Sequence, residues 1–533
     1  MRSVRVIVAG AICLALILGF AFADIWPLGE PIPNSLLAGI TSNGFNFMSD
    51  LAEVYLENNI DIIQMIEQQN PLYSALGYDF NAVGGSYDPI QLQIQLTPFD
   101  WMNPPPANAL YIRAVLPNFV LEIDISSKEG LGANQHYQKL AGLGDGKGDI
   151  DVHLTGRFEA SLNLTYVATP TPHLEASFTY LDVFLDSFSL SCGGWSWLCN
   201  AVGTLFEETV RGMLRSEIAD QIYSMVNDML AQLPLLYQVE IDNPFEEGEV
   251  EVLDFSMANF LLQTAPSRNV ATFVLESALY FEGTDECVDL GGNVGSLYTP
   301  SSPPEFSVPS PGGHSYHIVA AISDDMVNQL LYSAYATGLL CISMNLEDIF
   351  PTGKMPEEFH EFAEKVGEEE GLFWILTYPR KEPIFTVGGP GGAYFTIDIE
   401  DFDVAIYTYL CERWARFLAA TIGFTASGTF SVSIDTCDTG PCTVVTVDLP
   451  SYELSLDITY SELSGLDEDI IKELIDTLLE QYMDDLLAQY GRIEVPALEL
   501  PGGIYLLGET VDILPIGSSE DFLGIYANFV TAK

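Results

Sequence analysis

From Ile150 onward the even positions read Ile150, Val152, Leu154, Gly156, Phe158, Ala160, Leu162, Leu164 and Tyr166, whereas every odd position from Asp149 to Thr165 is polar. Period-two alternation of this kind specifies a β-strand with one apolar and one wet face. At about 3.3 Å per residue the strand would run roughly 55 Å, several times the usual length. A compact sandwich has no use for such a strand; an elongated, strongly twisted and curled sheet has. The second half carries the same signature. Ile422, Phe424, Ala426, Gly428, Phe430, Val432 and Ile434 alternate with Gly, Thr and Ser, and beyond a turn at Cys437 to Cys442 the positions Tyr452, Leu454, Leu456, Ile458 and Tyr460 alternate with polar residues. Partner strands are expected at Tyr111 to Ile125, Leu174 to Leu190 and Ala393 to Tyr409, which gives each half three long antiparallel strands.

Each set is followed by an amphipathic helix. Leu205, Phe206, Val210, Met213, Leu214, Ile218, Ile222, Val226, Met229, Leu230 and Leu233 recur at steps of three and four, and Pro234 ends the run. The second stripe is shorter, Ile470, Ile471, Leu474, Leu478, Tyr482 and Leu486, with Asp467 as an N-terminal cap and Gly491 as the stop. An extended segment follows each helix. The order of long strands, amphipathic helix and extended return therefore occurs twice, a duplication of architecture rather than of residue identity. Between the halves, Gln238 to Phe281 reads as further strand and Thr299 to Gly313 as an exposed Pro/Ser/Gly linker. Leu346 to Gly371 reads as a solvated helix-turn insertion. The expected fold class is α+β, divided into 24–245, 246–313 and 314–533 after a leader at 1–23.

The 533 residues include 75 Asp plus Glu against 19 Lys plus Arg, a formal charge of −56, and are 48% hydrophobic. So much apolar material excludes disorder as a description of the whole chain. So little clustered Lys and Arg excludes nucleic acid as a partner, because phosphate binding proceeds by counterion release to such clusters. At the start, Arg2 and Arg5 precede an apolar run from Val6 that ends in Ala21-Phe22-Ala23 before Asp24. This is the pattern of a signal peptide, with a retained anchor helix as the alternative, and it places the protein outside the cytoplasm: secreted, or in a periplasm or on a cell surface if bacterial.

Eight cysteines occur, and setting aside Cys13 leaves an odd set in a compartment that permits disulfides. Cys192 with Cys199, and Cys437 with Cys442, would each close a short loop; Cys287, Cys341 and Cys411 leave one thiol over. Zinc is disfavoured by the lack of any Cys-x-x-Cys and of a His near either pair. Catalytic signatures are equally scarce. The sequence holds no Gly-x-Ser-x-Gly elbow, and its His residues at 136, 153, 173, 314, 317 and 360 show no metal or general-base spacing. The glycine-rich run Gly142 to Asp149 precedes a strand, so it reads as a hairpin and not as a phosphate loop.

Further residues carry a family likeness. Gly39-Ile-Thr-Ser-Asn-Gly-Phe-Asn-Phe leading into a helix at Leu51 to Ile66, Trp195-Ser-Trp-Leu, the long helix with Leu233-Pro234, His317-Ile-Val-Ala-Ala-Ile-Ser-Asp-Asp-Met, Val495-Pro-Ala-Leu-Glu-Leu-Pro and Glu520-Asp-Phe-Leu-Gly-Ile-Tyr stand in the order found in one family. The chain thereby resembles the bactericidal/permeability-increasing and lipopolysaccharide-binding proteins and the plasma cholesteryl ester and phospholipid transfer proteins. The resemblance implies a boomerang of two elongated tubular domains, each a long curled antiparallel sheet wrapped around a long amphipathic helix and joined by a central sheet. It also implies apolar pockets for acyl chains between helix and sheet. Two departures stand out: no Cys lies between Asn200 and Glu286 to supply the family's disulfide to the first long helix, and the acidic balance differs from the cationic tip of its antibacterial members.

The sequence thus predicts an exported, non-catalytic lipid-binding or lipid-transfer protein without cofactor or metal. Its partners would be phospholipid or another acyl lipid, with transient membrane contact. The candidate lipid-binding residues are Leu205, Phe206, Val210, Met213, Leu214, Ile218, Ile222, Phe158 and Leu162 in the first half, and Ile471, Leu474, Leu478, Phe424 and Phe430 in the second. The alternative is a structural or adhesive surface protein that keeps the same fold with closed cores.

Overall fold

The computed structural model describes residues 24–532 except 60, 76–77, 101, 103–105, 107, 128–149, 169–172, 193–202, 204–206, 217–222, 225–226, 228–235, 243–249, 291–294, 342, 347–356, 368–371, 438–439, 462–470, 473–474, 476–491, 497 and 501–503. The leader, the Trp195 motif, the glycine-rich run and the proposed helix ends at Asp467 and Gly491 lie outside the described residues.

The chain enters through β1 (Asp24–Trp26) and β2 (Ile32–Thr41), then α1 (Ser42–Asn59) and α2 (Ile62–Glu67). The expected single helix over 51–66 instead starts at Ser42 and breaks before Asp61, whose carboxylate caps α2 by accepting the Gln64 N–H at 3.0 Å. Asn58-Asn59 followed by a capping Asp favours that break over continuation. The glycines of the opening motif have a packing reason. A Cβ on Gly39 would stand 2.7 Å from the Phe306 ring and from Val319, and one on Gly44 2.4 Å from the His317 carbonyl oxygen. Thr41 Oγ1 accepts the Gly44 N–H at 3.1 Å and donates to the Tyr316 carbonyl at 2.8 Å, so the start of α1 is fastened to the second half of the chain.

Strands β3 (Tyr73–Ala75), β4 (Tyr78–Ser86), β5 (Gln91–Gln95), β6 (Leu110–Ser127), β7 (Ile150–Val167) and β8 (His173–Cys192) form the first curled antiparallel sheet, in the order β3-β4-β6-β7-β8 with β5 also on β6. Its register runs from Ile150 opposite Cys192 to Val167 opposite His173. Next come β9 (Leu236–Asp242), β10 (Val250–Ala265), β11 (Val270–Phe281), β12 (Ser296–Tyr298), β13 (Ile318–Ser323) and α3 (Asp324–Ala336). The second curled sheet contains β14 (Ser343–Asn345), β15 (Phe373–Pro379), β16 (Ile384–Val387), β17 (Phe395–Leu410), β18 (Arg413–Cys437), β19 (Gly440–Tyr460) and β20 (Arg492–Pro496), with α4 (Glu357–Val366) inserted after β14. Finally β21 (Leu498–Leu500), β22 (Ile504–Ile516) and β23 (Phe522–Ala532) return to a central eight-stranded sheet ordered β21-β22-β23-β13-β2-β11-β10-β9. In it β2, from the chain's beginning, lies between β11 and β13 and so stitches the two halves together.

Helix α3 is a polar latch at that junction. Its buried side chains bond to the backbones of four separate segments: Asn328 exchanges two hydrogen bonds with Phe385 on β16, Gln329 accepts from Leu279 and donates to Glu30, Ser333 accepts from Phe281, and Asp325 accepts from Thr299. Each of these saturates a backbone group that burial would otherwise strand.

Two segments expected to be solvated are exposed over much of their described length, but each is pinned by a buried ring. The stretch 299–313 is anchored, because Phe306 is buried against Leu37, Val274 and Val319, and Ser310 and His314 both bond to Asp512. Within the insertion, α4 turns one side inward: Phe359 is fully buried and Phe362 packs beside it, the i, i+3 spacing putting both rings on one side of the helix.

The disulfides link Cys437 to Cys442 and Cys287 to Cys341, leaving Cys411 free and exposed. Cys192 is also disulfide-bonded, and Cys199 lies outside the described residues. No helix among the described residues is long and apolar enough to cross a membrane.

Candidate functional site

In the first curled sheet the alternation does its expected work on one face. Ile150, Val152, Leu154, Phe158, Ala160 and Leu162 of β7 are buried together with Leu116, Phe119, Leu121 and Ile123 of β6. The helical residues 207–216 supply Val210 and Leu214, both buried in the same cluster, and Met213 packs on its edge. Phe158 meets Phe178 of β8 edge-to-face at 6.4 Å. Thus Phe158, Leu162, Val210, Met213 and Leu214 converge on one apolar interior, while Leu205, Phe206, Ile218 and Ile222 lie outside the described residues. α1 and α2 close one side with Phe45, Ile62, Ile63 and Ile66, which the sequence reading did not assign to this interior. Their signal was the Ile62, Ile63, Ile66 spacing of one helical turn.

The reverse face of β7 departs from its expected wetness. Glu159 and Ser161, both odd positions, are completely buried. Phe99, Met102, Ala109, Tyr111 and Tyr180 form a small apolar roof over this part of the sheet. Beneath it the Glu159 carboxylate accepts from Arg113 Nε at 2.7 Å and Nη2 at 2.6 Å and from Arg157 Nε at 3.1 Å, and the two guanidiniums lie over the rings of Phe99 and Phe184. Two cations on one carboxylate, each also stacked on a ring, compensate the charge that burial removes from water. A charged residue in a strand pattern reads as exposed unless its cross-strand partners are known, which is why the alternation alone missed it.

The second sheet is filled differently. Ile471 is buried as expected, accompanied by Ile475, which the stripe reading omitted; Leu474 and Leu478 lie outside the described residues. Among Ile375, Val404, Ile406, Leu418 and Ile422 sits a knot of four rings in mutual contact. Phe417 sits 5.3 Å from Phe359, 4.9 Å from Phe362 and 5.1 Å from Phe373, and Phe359 lies 4.7 Å from Phe373. Such tilted and edge-to-face geometries are the favourable ones for rings in contact. Phe424 is buried and paired with Tyr452 at 5.5 Å. Phe430 belongs elsewhere: it stacks on Phe395 at 4.7 Å, in the cluster with Phe385 and Leu523 where this sheet meets β23. Its position on the same strand face as Phe424 is preserved, but six residues of strand carry it from the sheet's interior to the junction. Gly428 is required there, since a Cβ would come within 2.1 Å of the Phe395 ring.

Among the described residues no group of three or more His, Cys, Asp or Glu could hold a metal. The described histidines 314 and 317 have structural partners: His314 Nδ1 lies 2.8 Å from Asp512, and His317 Nδ1 accepts the Phe529 N–H at 3.0 Å, burial lowering its pKa and so keeping it the neutral acceptor this bond needs.

Comparisons with known proteins add fold-level likenesses. No family model matches the chain, and no curated protein matches it in sequence. Among solved structures, a lipopolysaccharide binding protein aligns over 94% of this chain and 100% of its own, at 15% identity and a TM-score of 0.43. P47 of Clostridium botulinum E1 aligns over 94% and 100% at 10% identity and a TM-score of 0.28, and P47 from Clostridium botulinum A2 over 96% and 99% at 8% and 0.23.

Proposed function

We propose that the protein is an exported lipid-binding or lipid-transfer protein that shelters acyl chains between the first curled sheet and its long helix, with the second sheet and its helix as a second, tighter compartment. In this reading the chain comprises a leader (1–23), an N-terminal tubular domain (24–245), a central sheet and linker (246–313) and a C-terminal tubular domain (314–533). The observation that carries it is the composition of the first interior: an apolar, predominantly aliphatic set of residues from β6, β7 and the helical residues Val210 and Leu214, with the rings of Phe119 and Phe158 among them. Such a surface offers a ligand desolvation and nothing else. Each methylene taken from water contributes about 0.8 kcal/mol, so a dozen would give roughly 10 kcal/mol before ordering costs, without any catalytic group.

The experiment is organic extraction of the purified protein followed by mass spectrometry, together with uptake of a fluorescent phospholipid. Stoichiometric lipid, or saturable uptake reduced by Leu162→Glu in a protein that keeps its circular dichroism, supports the carrier. A clean extract together with no uptake overturns it. The close ring contacts around Phe417 favour the scaffold reading for the second sheet taken alone, because rings at 4.7–5.3 Å already occupy each other's apolar surface. Lipid that remains bound after Val210→Trp but not after Phe417→Trp would place the ligand there after all.

A further inference from the structure

The far end of the second sheet breaks the alternation in the opposite sense to Glu159. Register places Leu372 beside Tyr409 and Tyr409 opposite Trp414, with Trp374, Tyr407 and Arg416 forming the next row on the same outward face. The row between them, facing inward, is Phe373, Thr408 and Ala415, of which Phe373 and Thr408 are buried. A wet face should be polar here, yet Trp414 is 48% and Leu372 39% exposed. The aromatic residues touch one another: Trp414 lies 5.4 Å from Tyr409 and 6.1 Å from Trp374, whose indole N–H donates to Ser343 at 3.0 Å. The patch surrounds the two-residue turn Cys411-Glu412, both residues at positive φ, which joins β17 to β18. The other end of β17, Phe395, packs against Leu523 of the central sheet, so the turn lies at the remote end of a 16-residue strand, roughly 50 Å away by strand rise.

Two exposed arginines stand here. Arg113, Arg157, Arg211, Arg268, Arg380 and Arg492 all hold carboxylates. Arg413 and Arg416 hold none among the described residues; Arg416 instead lies over the rings of Tyr407 and Tyr460, and both side chains are exposed. In a chain with 19 basic residues against 75 acidic ones, Arg413 just before the exposed indole of Trp414 and Arg416 in the next outward row, neither with a carboxylate among the described residues, form a distinct chemical surface.

We infer that this remote hairpin is a docking surface for the headgroup region of a phospholipid bilayer. Trp414, Trp374 and Tyr409 have the amphipathic rings that settle at the membrane–water boundary, Leu372 adds an aliphatic anchor, and Arg413 and Arg416 match the lipid phosphates bidentately. The chain's formal charge of −56 disfavours surfaces of net negative charge and makes zwitterionic lipid the better partner. The inference deepens the carrier reading by naming where such a protein would meet a membrane, and it stands on different residues.

The test is co-flotation of the full chain with phosphatidylcholine vesicles, read alongside tryptophan emission and its quenching by brominated lipid. The expected result is vesicle binding with a blue shift, weakened about tenfold by Leu372→Ser with Trp414→Ser, and weakened separately by Arg413→Gln with Arg416→Gln. Binding unchanged in both variants, or a patch whose substitution changes only the oligomeric state in sedimentation, overturns it. The two readings fail separately. A variant that still yields extractable lipid but no longer floats leaves the carrier intact and confirms the dock. A protein that floats yet carries no lipid sinks the carrier alone.

Discussion

The two curled sheets start from the same alternation and end in different interiors. The first is lined mainly by aliphatic residues of β6 and β7, with Phe119 and Phe158 among them and Val210 and Leu214 from the helical segment 207–216, and is roofed on its reverse side over Glu159. The second is stoppered by a helix from an insertion, α4, whose Phe359 and Phe362 join Phe373 and Phe417 in an aromatic plug, while its reverse side exposes Trp414 at the remote end. Alternation therefore fixes which side of a strand is buried against its own sheet's interior. What plugs the second interior, and what covers the other side of each sheet, is decided by segments whose own local pattern is weak. A ring-filled interior is rigid and already satisfied; an aliphatic one can exchange its own contacts for those of hydrocarbon.

That contrast yields its largest effect in the second interior. Phe417→Ala is expected to destabilise the protein by about 3–5 kcal/mol, because it removes a ring that three others touch and leaves a cavity they cannot collapse into. Leu162→Ala in the first interior should cost about 2–3 kcal/mol, and less when lipid is bound, since an acyl chain can occupy the space. Chemical denaturation of extracted and lipid-loaded protein measures both. Equal costs at the two sites, with no influence of lipid on either, would erase the distinction between plug and pocket.

A smaller effect is expected on the reverse face of the first sheet. Glu159→Gln leaves Arg113 and Arg157 facing a neutral amide beneath the Phe99 roof. Removing one partner of a fully buried ion pair costs about 3–5 kcal/mol, but both guanidiniums are about one-third exposed and can turn to water, so roughly 2 kcal/mol is expected. The same denaturation curves report it, and salt should change the result little, because the carboxylate is out of contact with solvent. A neutral outcome would mean that the roof opens and that this face is as wet as its sequence looks.

These sites also mark how far the sequence can be read. The long strands were legible because every second residue repeats one instruction over a dozen positions or more in β7 and β18, and over nine in β19. Val210, Leu214 and Ile471 were legible for the same reason at helical spacing. Glu159 was not, since its burial depends on Arg113 some 46 residues away and on the roof from Phe99. Phe359 was hidden by its neighbours: Glu357, Glu358, His360 and Glu361 make the segment look solvated, although two rings three residues apart suffice for one buried side. The latch helix α3 was the least legible part. Its inward residues Asp325, Asn328, Gln329 and Ser333 are polar because they serve backbone groups on four other segments, so a search for an apolar stripe looks past them.

The smallest effect belongs to this latch, which both sheets share, and it depends on pH. Burial pushes the Asp325 carboxyl from an ordinary 3.8 up to about 7, with Asp324 and Asp521 adding like charge, and pushes Asp324 to about 6. A carboxyl that titrates higher in the folded than in the unfolded chain holds its proton more firmly when folded. Stability therefore falls as pH rises from about 4 to about 7, and the penalty is complete above that range. Asp325→Asn keeps an oxygen for the Thr299 N–H and removes the charge. It also forfeits a favourable negative charge at the N-terminus of α3, which offsets part of the gain. The variant should be more stable than the parent by about 1 kcal/mol at pH 8, nearly equal to it at pH 4, and flatter in between. Denaturation midpoints across that range measure the slope, and an Asn variant that keeps the parent's slope would show that Asp325 is charged in the folded protein at neutral pH, with the latch drawing its strength from that charge instead of in spite of it.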